Sequence, residues 1–358
     1  MLHERPSAGA TPLDLRRARA RVGEMPGAKD RATSRKAQSS LRIAVGIITQ
    51  RRPDMLRVLL ASLSELHSMT SHDLIFVVVE NDERKSVTEI LERFADSGDW
   101  HVVYDIEPQL GIPSAQNKVV DLALGLDMDL LAFVDDDERV EPDWLLELTS
   151  AMQTREPDLA GGPLQLEATG DALTPMQRAV LLDGRRQLSE RNATRAAASR
   201  DGWDGRLDAY TNNWCARLSK VRERGLRFDE SLRDADGSDT VFSTAMREQG
   251  GRIGWVPSVI VHDRLPGRRL SPAYYYRRSR DQATVTAQRL NRKRFTSIRR
   301  AVERGLRGCL QVVSATWKGR PALAAAIYSF GNASGRLRAA FGMSSRHYST
   351  RSKRDHIG

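Results

Sequence analysis

The chain of 358 residues is poor in cysteine and in long apolar runs. Its two cysteines, Cys215 and Cys309, give neither a disulfide framework nor the spacing of a zinc site, which favours a reducing compartment. No apolar stretch approaches the roughly 18 residues of a membrane-spanning helix, and the N-terminus lacks the apolar core of a signal peptide. There is no Gly-x-Gly-x-x-Gly after the first apolar segment and no Walker lysine loop. These absences disfavour secreted proteins, membrane-spanning proteins, dinucleotide dehydrogenases and P-loop enzymes.

The formal net charge of +10 is distributed unevenly along the chain. Residues 1–40 carry nine Lys and Arg against four acidic residues, and residues 264–358 carry twenty-two against three. Residues 41–263 therefore have a net charge of −14. The middle is typical of an acidic, metal-dependent domain. The C-terminal segment is typical of one that meets an anionic surface, either nucleic acid or acidic lipid.

Short apolar segments alternate with amphipathic helical patterns between residues 42 and 134. We predict strands at 42–48, 74–79, 102–104 and 130–134, with a helix after each of the first three. This alternation predicts βαβ units and a mainly parallel sheet. Residues 1–40 have no sustained apolar period and are expected to be disordered, and the polar stretch 167–208 is expected to include a mobile excursion. The predicted division is 1–40, an α/β domain at 41–290 and a basic helical segment at 291–358.

The run Phe133-Val-Asp-Asp-Asp-Glu138 follows the apolar segment 130–134 directly. Carboxylates crowded at the end of a buried strand repel one another unless a cation intervenes, and Mg²⁺ is usually held by one or two carboxylates plus substrate phosphates. The alternative is an acidic surface turn. Pro142 and Asp143 then begin a helical pattern, so the acidic run joins a strand to a helix at the edge where open α/β sheets bind ligands.

Five further polar elements accompany the acidic run, and all six stand in one order along residues 41–290. In that order they resemble the inverting GT-A glycosyltransferases of family 2, in the branch of bacterial exopolysaccharide sugar transferases of the succinoglycan glucosyltransferase type. The resemblance rests on Thr49-Gln-Arg-Arg-Pro53, Val78-Val-Glu-Asn-Asp82, Glu107-Pro-Gln-Leu-Gly111, the acidic run through Trp144, Asp236-Gly-Ser-Asp-Thr240 and Gly254-Trp255.

The resemblance implies a GT-A fold, a Rossmann-like mixed sheet flanked by helices, with a basic helical C-terminal appendage. It implies inverting transfer of a hexose from a nucleotide sugar, expected to be a UDP-sugar, to a polyprenyl-linked oligosaccharide or polysaccharide acceptor. The expected cofactor is Mn²⁺ or Mg²⁺. The rival from another class is a non-catalytic module of GT-A type whose basic tail binds nucleic acid. The presence of both Asp137 and Asp239 favours the enzyme.

The resemblance also implies roles on the donor side. Asp135 and Asp136 would face the nucleoside and ribose, and Asp137 would ligate the metal. Two departures from the family pattern are Glu80, where relatives have an Asp that reaches the base, and Gln116, where many have Arg. Arg52 either contacts the nucleotide or caps a strand. The nucleotide-binding set is Thr49, Arg52, Glu80, Gln116, Asn117, Asp135 and Asp136.

An acceptor hydroxyl needs a general base within hydrogen-bond reach while it attacks the anomeric carbon. By resemblance this base is Asp239, although Ser238 replaces the first acid of the family's Glu-Asp pair; the alternative is that these residues cap the following helix. His262 is a candidate final metal ligand or a solvated or core histidine. Asn213 and Trp214 are candidates for acceptor binding, with core packing as the alternative for Trp214.

The basic C-terminal segment contains one apolar stripe at helical spacing: Ile298, Val302, Leu306, Leu310 and Val313. Arginines alternate with this stripe, a pattern that suits an anionic membrane surface. We therefore expect a cytoplasmic protein bound peripherally to the inner face of the plasma membrane, with no nucleic-acid partner. The alternative is a helix packed on the edge of the domain's own sheet.

Overall fold

The computed structural model describes residues 13–14, 40–67, 72–170, 172–199, 209–233, 237–289 and 293–343. Most of residues 1–40, predicted to be disordered, therefore lie outside the described residues. Within that segment, β1 (Leu13–Asp14) pairs antiparallel with the strand at His101–Ile106.

The described residues form a large mixed sheet whose first half is parallel. Strands β2 (Arg42–Thr49), β3 (Asp73–Glu80), β4 (His101–Ile106) and β5 (Leu130–Asp135) lie in the order β4-β3-β2-β5. They are connected by α1 (Pro53–Ser64), α2 (Thr88–Gly98) and α3 (Ile112–Gly125). The predicted alternation of strands and helices is confirmed, because nearly every residue of these strands is buried, as expected of parallel strands covered on both faces.

The second half of the sheet is mixed. Strand β9 (Trp214–Arg217) runs antiparallel to β5 and to β7 (Leu159–Gly161), and β10 (Ile253–Trp255) runs parallel to β7. One apolar cluster packs α1, α2 and α4 (Trp144–Thr154) against one face of the sheet. A second cluster packs α3, α6 (Leu218–Glu223) and α7 (Ser238–Glu248) against the other face. The α/β class predicted from the sequence is confirmed.

A separate three-stranded sheet holds the acidic run in place. It consists of β6 (Glu138–Val140), β11 (Val261–Pro266) and β8 (Leu164–Thr169), in the order β6-β11-β8. The sequence predicted that the acidic run joins a strand directly to a helix. Instead the run turns into β6, and β11 extends to Pro266 because it pairs with both neighbours.

The polar stretch 167–208, expected to include a mobile excursion, is helical over more than half of its length. Residues Pro175–Ala198 form the long helix α5, which begins with a capping box between Thr174 and Gln177. Polar composition concealed this helix because only a short stretch of it, including Val180 and Leu181, is buried against other elements. Residues 200–208 lie outside the described residues.

The described part of the basic C-terminal segment packs on the helices of the domain. It consists of α9 (Arg294–Lys318) and α10 (Arg320–Ala340), and it follows α8 (Pro272–Arg289). A Cβ atom added at Gly331 or Gly335 of α10 would lie 2.5 or 2.0 Å from the carbonyl oxygens of Tyr276 or Arg280 of α8. Helices α8 and α10 therefore approach each other backbone to backbone. The described residues beyond the predicted boundary at 290 therefore include a helix, α10, that packs on α8 before that boundary.

Candidate active site

Three polar segments converge where the parallel strands end. Thr49 at the end of β2 is in register with Glu80 of β3, and the preceding Ile48 is in register with Asp135 of β5. The carboxyl ends of adjacent parallel strands share one edge of a sheet, so the acidic run Asp135–Glu138 emerges beside the loop that follows Thr49.

Asp136 connects the acidic run to that loop. Thr49 Oγ1 donates a hydrogen bond of 2.8 Å to Asp136 Oδ2, and Arg52 Nη1 donates one of 3.2 Å to Asp136 Oδ1. Burial raises the pKa of Asp136 to about 6 despite the opposing charge of Arg52. Three of the predicted donor-side residues, Thr49, Arg52 and Asp136, are thus gathered into one contact.

Asp135 is the last residue of β5 and is accessible to solvent at the end of the strand. Protein atoms nevertheless lie close enough around its carboxylate to desolvate it. Its backbone N–H donates to Glu138 Oε2 at 3.0 Å, which closes the turn of the acidic run. The surrounding protein, together with the negative charges of Asp137, Asp136, Asp239 and Asp263, raises the pKa of Asp135 well above its usual range. Asp135 and these four aspartates therefore form one acidic cluster. A bound cation would relieve the repulsion among their carboxylates.

Asp137 is the member of this cluster held by arginines. Arg269 Nη1 contacts Asp137 Oδ2 at 2.7 Å, and Arg52 Nη1 lies 3.6 Å from the same oxygen. Arg269 comes from the turn Gly267–Leu270 that follows β11, a segment in which sequence patterns identified no site residue. Two cations therefore already face the position predicted for the metal ligand.

In β11 the side chain that faces inward is that of Asp263, not that of its neighbour His262. Side chains alternate along a strand, and in β11 Val261, Asp263 and Leu265 face inward while His262 faces the other way. His262 Nε2 lies within hydrogen-bond distance of Glu141 Oε1, 2.6 Å away beside β6. Asp263 is buried instead, and burial followed by repulsion from Asp137 raises its pKa to about 6. His262, the candidate final metal ligand, thus contacts Glu141, and its neighbour Asp263 is the residue of β11 that is buried near Asp137.

Asp137 and Asp263 fit a divalent cation. Asp263 Oδ1 is buried and receives no hydrogen bond from the described residues. Such an oxygen is costly unless it meets a donor or a cation. Among the described residues, no three His, Cys, Asp or Glu side chains are arranged to hold a metal ion by themselves. Two carboxylates completed by substrate phosphates match the usual way in which Mg²⁺ is bound.

Asp239 lies in the first turn of α7. It is close enough to Asp135 for its charge to raise the pKa of that residue. The helix begins after Gly237, and no side chain caps its N-terminus. Asp239 Oδ1 instead accepts from the backbone N–H of Thr240 at 2.6 Å. Neither Ser238 nor Asp239 is therefore the N-cap of this helix, and Asp236, the third residue of the capping alternative, lies outside the described residues.

The Glu80 side chain is buried and hydrogen-bonded to other protein groups. Its side chain is 0% exposed, and its carboxylate accepts hydrogen bonds from Ser86 and from the hydroxyl of Tyr104. A carboxylate engaged by these hydrogen bonds is not available to a nucleobase in this conformation. The prediction that Glu80 contacts the nucleotide is corrected to a structural role, and its extra methylene explains why it reaches Tyr104.

Gln116 and Asn117 also form hydrogen bonds with other protein groups. Ser238 Oγ donates to Gln116 Oε1 at 2.9 Å, so Gln116 fixes the start of α7 beside Asp239. The Asn117 side chain bonds the backbone N–H and carbonyl of Phe228 at 2.9 and 3.0 Å. Both side chains are buried, and both position segments that border the site.

Asn213 and Trp214 lie in the core, which contradicts their predicted contact with an acceptor. Asn213 is 2% exposed; its amide donates to the carbonyls of Pro163 and Val259, and its oxygen accepts from Trp144 Nε1 at 3.0 Å. The Trp214 ring stacks on Phe133 at 5.4 Å between ring centroids. Core packing, the alternative for Trp214, is the observed arrangement.

The fold is of the GT-A type. The mannosyltransferase PcManGT from Pyrobaculum calidifontis, whose structure contains GDP-Man and Mn²⁺, superimposes with a TM-score of 0.53 at 16% identity. The match covers 86% of this chain and 77% of that one.

Residues 44–207 match the family model described as glycosyl transferase family 2. The chain is also 28% identical over 277 residues to the succinoglycan biosynthesis protein ExoM of Rhizobium meliloti (strain 1021). That alignment covers 77% of this chain and 84% of ExoM. Residues 44–207 are thus similar to family 2 glycosyltransferases, and together with the similarity to ExoM this indicates that the protein is a glycosyltransferase.

Proposed function

We propose that the protein transfers a hexose from a UDP-sugar, with inversion and with the help of Mn²⁺ or Mg²⁺, to a polyprenyl-linked saccharide in the synthesis of a cell-surface polysaccharide. The observation that carries this proposal is the crowding of Asp135, Asp136 and Asp137 at the end of β5, where Arg52 and Arg269 pair with them and Asp263 lies in register with Glu138. The similarity to ExoM, a succinoglycan biosynthesis protein, supports the polysaccharide assignment.

Each residue of the cluster has a distinct role in this proposal. Asp135, exposed at the sheet edge, hydrogen-bonds the ribose, and Asp136, held by Thr49 and Arg52, fixes the loop on which the nucleotide lies. Asp137 and Asp263 hold the divalent cation. When bound, this cation would neutralise charge on the diphosphate leaving group as a Lewis acid. Arg269 and Arg52, already beside Asp137, add positive charge at the same position.

Asp239 is the proposed general base. As the acceptor oxygen forms its bond to the anomeric carbon, its proton passes to the Asp239 carboxylate. The bond between the anomeric carbon and the phosphate oxygen breaks, and its electron pair leaves with the diphosphate. A single displacement of this kind inverts the anomeric centre. Gln116 keeps the base in position through Ser238.

Nucleotide titration tests the proposal and distinguishes it from the rival binding module. We expect UDP to bind the full chain in Mn²⁺ with a dissociation constant between roughly 1 μM and 1 mM, the usual range for enzyme substrates. EDTA should weaken this binding at least about tenfold, since the diphosphate loses its bridge to the carboxylates. Tighter binding of GDP than of UDP would indicate that the donor is a GDP-sugar and not a UDP-sugar. Failure of both nucleotides, with tight binding of duplex DNA, would favour the rival.

The exposed stripe of α9 supports peripheral membrane binding as part of the same proposal. Helix α9 contacts its neighbours through small residues, Ser297, Ala301 and Gly308. Its large apolar residues face outward, with Leu306, Leu310 and Trp317 exposed by 62%, 71% and 68%. In the part of the chain that the structure describes, no helix is long and apolar enough to cross a bilayer. An outward apolar stripe on a strongly basic segment is complementary to an anionic lipid surface.

The substitution Leu306→Gln/Leu310→Gln tests this surface without disturbing the fold, because both side chains are exposed. We expect co-sedimentation with phosphatidylcholine vesicles containing phosphatidylglycerol to weaken by roughly 10- to 100-fold, from the loss of partial burial of two leucines. Part of the wild-type binding should survive high salt, because apolar burial is not screened. Deleting the whole C-terminal segment would be a poorer test. Its helix α10 packs on α5 and α8, so the deletion would expose buried surface of the domain.

The matched control is Leu146→Gln/Leu182→Gln, which removes two exposed leucines from α4 and α5. It should bind vesicles like the wild type. Equal binding by both double variants would contradict the assignment of the stripe. The membrane proposal corresponds to a cytoplasmic enzyme on the inner face of the plasma membrane.

A further inference from the structure

A second cavity lies away from the acidic cluster, between α5, α9 and α10. It has a volume of about 320 Å³ and is lined by four arginines against one acidic residue, Glu190. We call it the arginine cleft, after Arg186, Arg191, Arg304 and Arg307. Its size falls within the lower range of small-molecule sites, roughly 300–1,000 Å³.

Much of the positive charge in the arginine cleft is not neutralised by protein groups. Arg186 forms ion pairs with Asp183 and Glu190. Arg304 and Arg307 of α9, by contrast, have no carboxylate within 4.0 Å among the described residues. Arg191 Nη2 donates to the hydroxyl of Tyr328 at 3.1 Å, which holds this guanidinium at the wall of the cleft.

Like charges are crowded along the same side of α9. Arg336 of α10 is half-buried, and burial followed by the positive charges of Arg304 and Arg300 lowers its pKa. Arg336 Nη1 is buried and has no hydrogen-bond partner among the described residues. An anion in the arginine cleft would relieve this repulsion. Planar guanidinium groups bind phosphate oxygens through paired hydrogen bonds, so a phosphate ester is the anion that fits best.

A smaller cavity of about 110 Å³ lies between the arginine cleft and the acidic cluster. The two cavities share Gln187, Arg191 and Tyr328 as lining residues. At its other end the smaller cavity is lined by Asp263 and Arg269, which belong to the candidate active site. A ligand bound by its phosphate in the arginine cleft would therefore lie next to a cavity that reaches two residues of the candidate active site. The arginine cleft is bordered by α9, whose opposite face carries the exposed apolar stripe.

We propose that the arginine cleft binds the phosphate or diphosphate group that joins the acceptor saccharide to its lipid. This inference rests on the proposed transferase function and adds a second site to it. Arg304 and Arg307 bind the phosphate oxygens, Arg191 borders both cavities, and the saccharide extends toward Asp263. The same chemistry would also suit the phosphate of a membrane headgroup, and the test below distinguishes the two sources.

The test compares Arg304→Gln/Arg307→Gln with a charge-matched variant of the same helix. The control, Arg299→Gln/Lys318→Gln, removes the same number of charges from exposed positions outside the cleft. The probe is geranyl diphosphate, titrated into the full chain in EDTA so that no metal can hold it at the acidic cluster. We expect the cleft variant to bind roughly 10- to 100-fold more weakly than the wild type and the control to bind normally, since two charge-assisted contacts are lost.

Two further measurements make each outcome decisive. Binding of UDP in Mn²⁺ should be unchanged in both variants, and its failure in the wild type would contradict the proposed donor site without bearing on the cleft. Vesicles containing phosphatidylglycerol report on the headgroup alternative. The inference is overturned if the wild type does not bind geranyl diphosphate, if both variants lose this binding equally, or if the cleft variant loses only vesicle binding.

Discussion

Replacing Asp137 with Asn should reduce sugar transfer by at least about 10³-fold, because the diphosphate loses its metal-mediated contact with the protein. Lewis-acid stabilisation is worth several kcal/mol, and each 1.36 kcal/mol corresponds to a factor of ten in rate. Asparagine keeps the shape and an oxygen that can accept from Arg269, now 2.7 Å from Asp137. The fold should therefore survive, with a melting temperature close to that of the wild type. The measurements are turnover of the UDP-sugar and UDP affinity across a Mn²⁺ titration.

Adjacent residues of β11 supply a sharp control for this prediction. Asp263→Asn should raise the Mn²⁺ concentration needed for half-maximal activity, because Asp263 faces Asp137 inside the cluster. His262→Gln changes the next side chain, which faces the opposite side of the strand and contacts Glu141. We expect little change in metal dependence from this variant. The reverse result, with His262→Gln impaired and Asp263→Asn normal, would show that the alternation along β11 has been misassigned. Full activity of Asp137→Asn in EDTA would contradict metal dependence altogether.

Replacing Asp239 with Asn should lower turnover by roughly 10²–10⁴-fold, the usual contribution of a general base. The amide is the same size as the carboxylate and can still accept from the Thr240 N–H, but it cannot take up the proton of the acceptor hydroxyl. Binding of UDP in Mn²⁺ should remain near that of the wild type, since Asp239 lies on the α7 side of the cluster. The measurements are single-turnover transfer and nucleotide titration on the same preparation.

A matched control for the base is Glu248→Gln in the last turn of the same helix. Glu248 is exposed and lies far along α7 from the cluster, so its loss changes the charge of the helix and little else. Turnover of this variant should be normal. If Asp239→Asn instead abolishes UDP binding, Asp239 contributes to the donor site and another group must remove the proton.

The sequence predicted which segments form the site. Apolar strands of four to seven residues alternating with helical patterns are sufficient to specify a parallel arrangement, because only buried strands tolerate apolar residues on both faces. Polar residues at the ends of such strands must then meet at one edge. Thr49, Arg52, Asp135, Asp136 and Asp137 follow from this rule, and the structure brings them together.

Tertiary contacts decided which side chains within those segments face the site. Glu80 lies at a strand end as predicted, yet Tyr104 and Ser86 bind its carboxylate, and no local pattern reveals that pair. Asn213 and Trp214 are polar or aromatic near the site, but the packing of β9 between β5 and β7 encloses them. The choice of Asp263 over His262 depends on the register of β11 with β6 and β8, although the alternation Val261, Asp263, Leu265 is a signal present in the sequence.

The sequence by itself determined the α/β class, the acidic edge and the basic, amphipathic nature of α9, because these depend on local periodicity and composition. Only the tertiary structure decided that α10 packs on α5 and α8, that Arg269 reaches Asp137, and that three helices enclose the arginine cleft. Each of these contacts joins residues far apart along the chain. Their formation depends on complementary shapes of distant surfaces, such as Gly331 and Gly335 against α8, which periodicity along one segment does not encode.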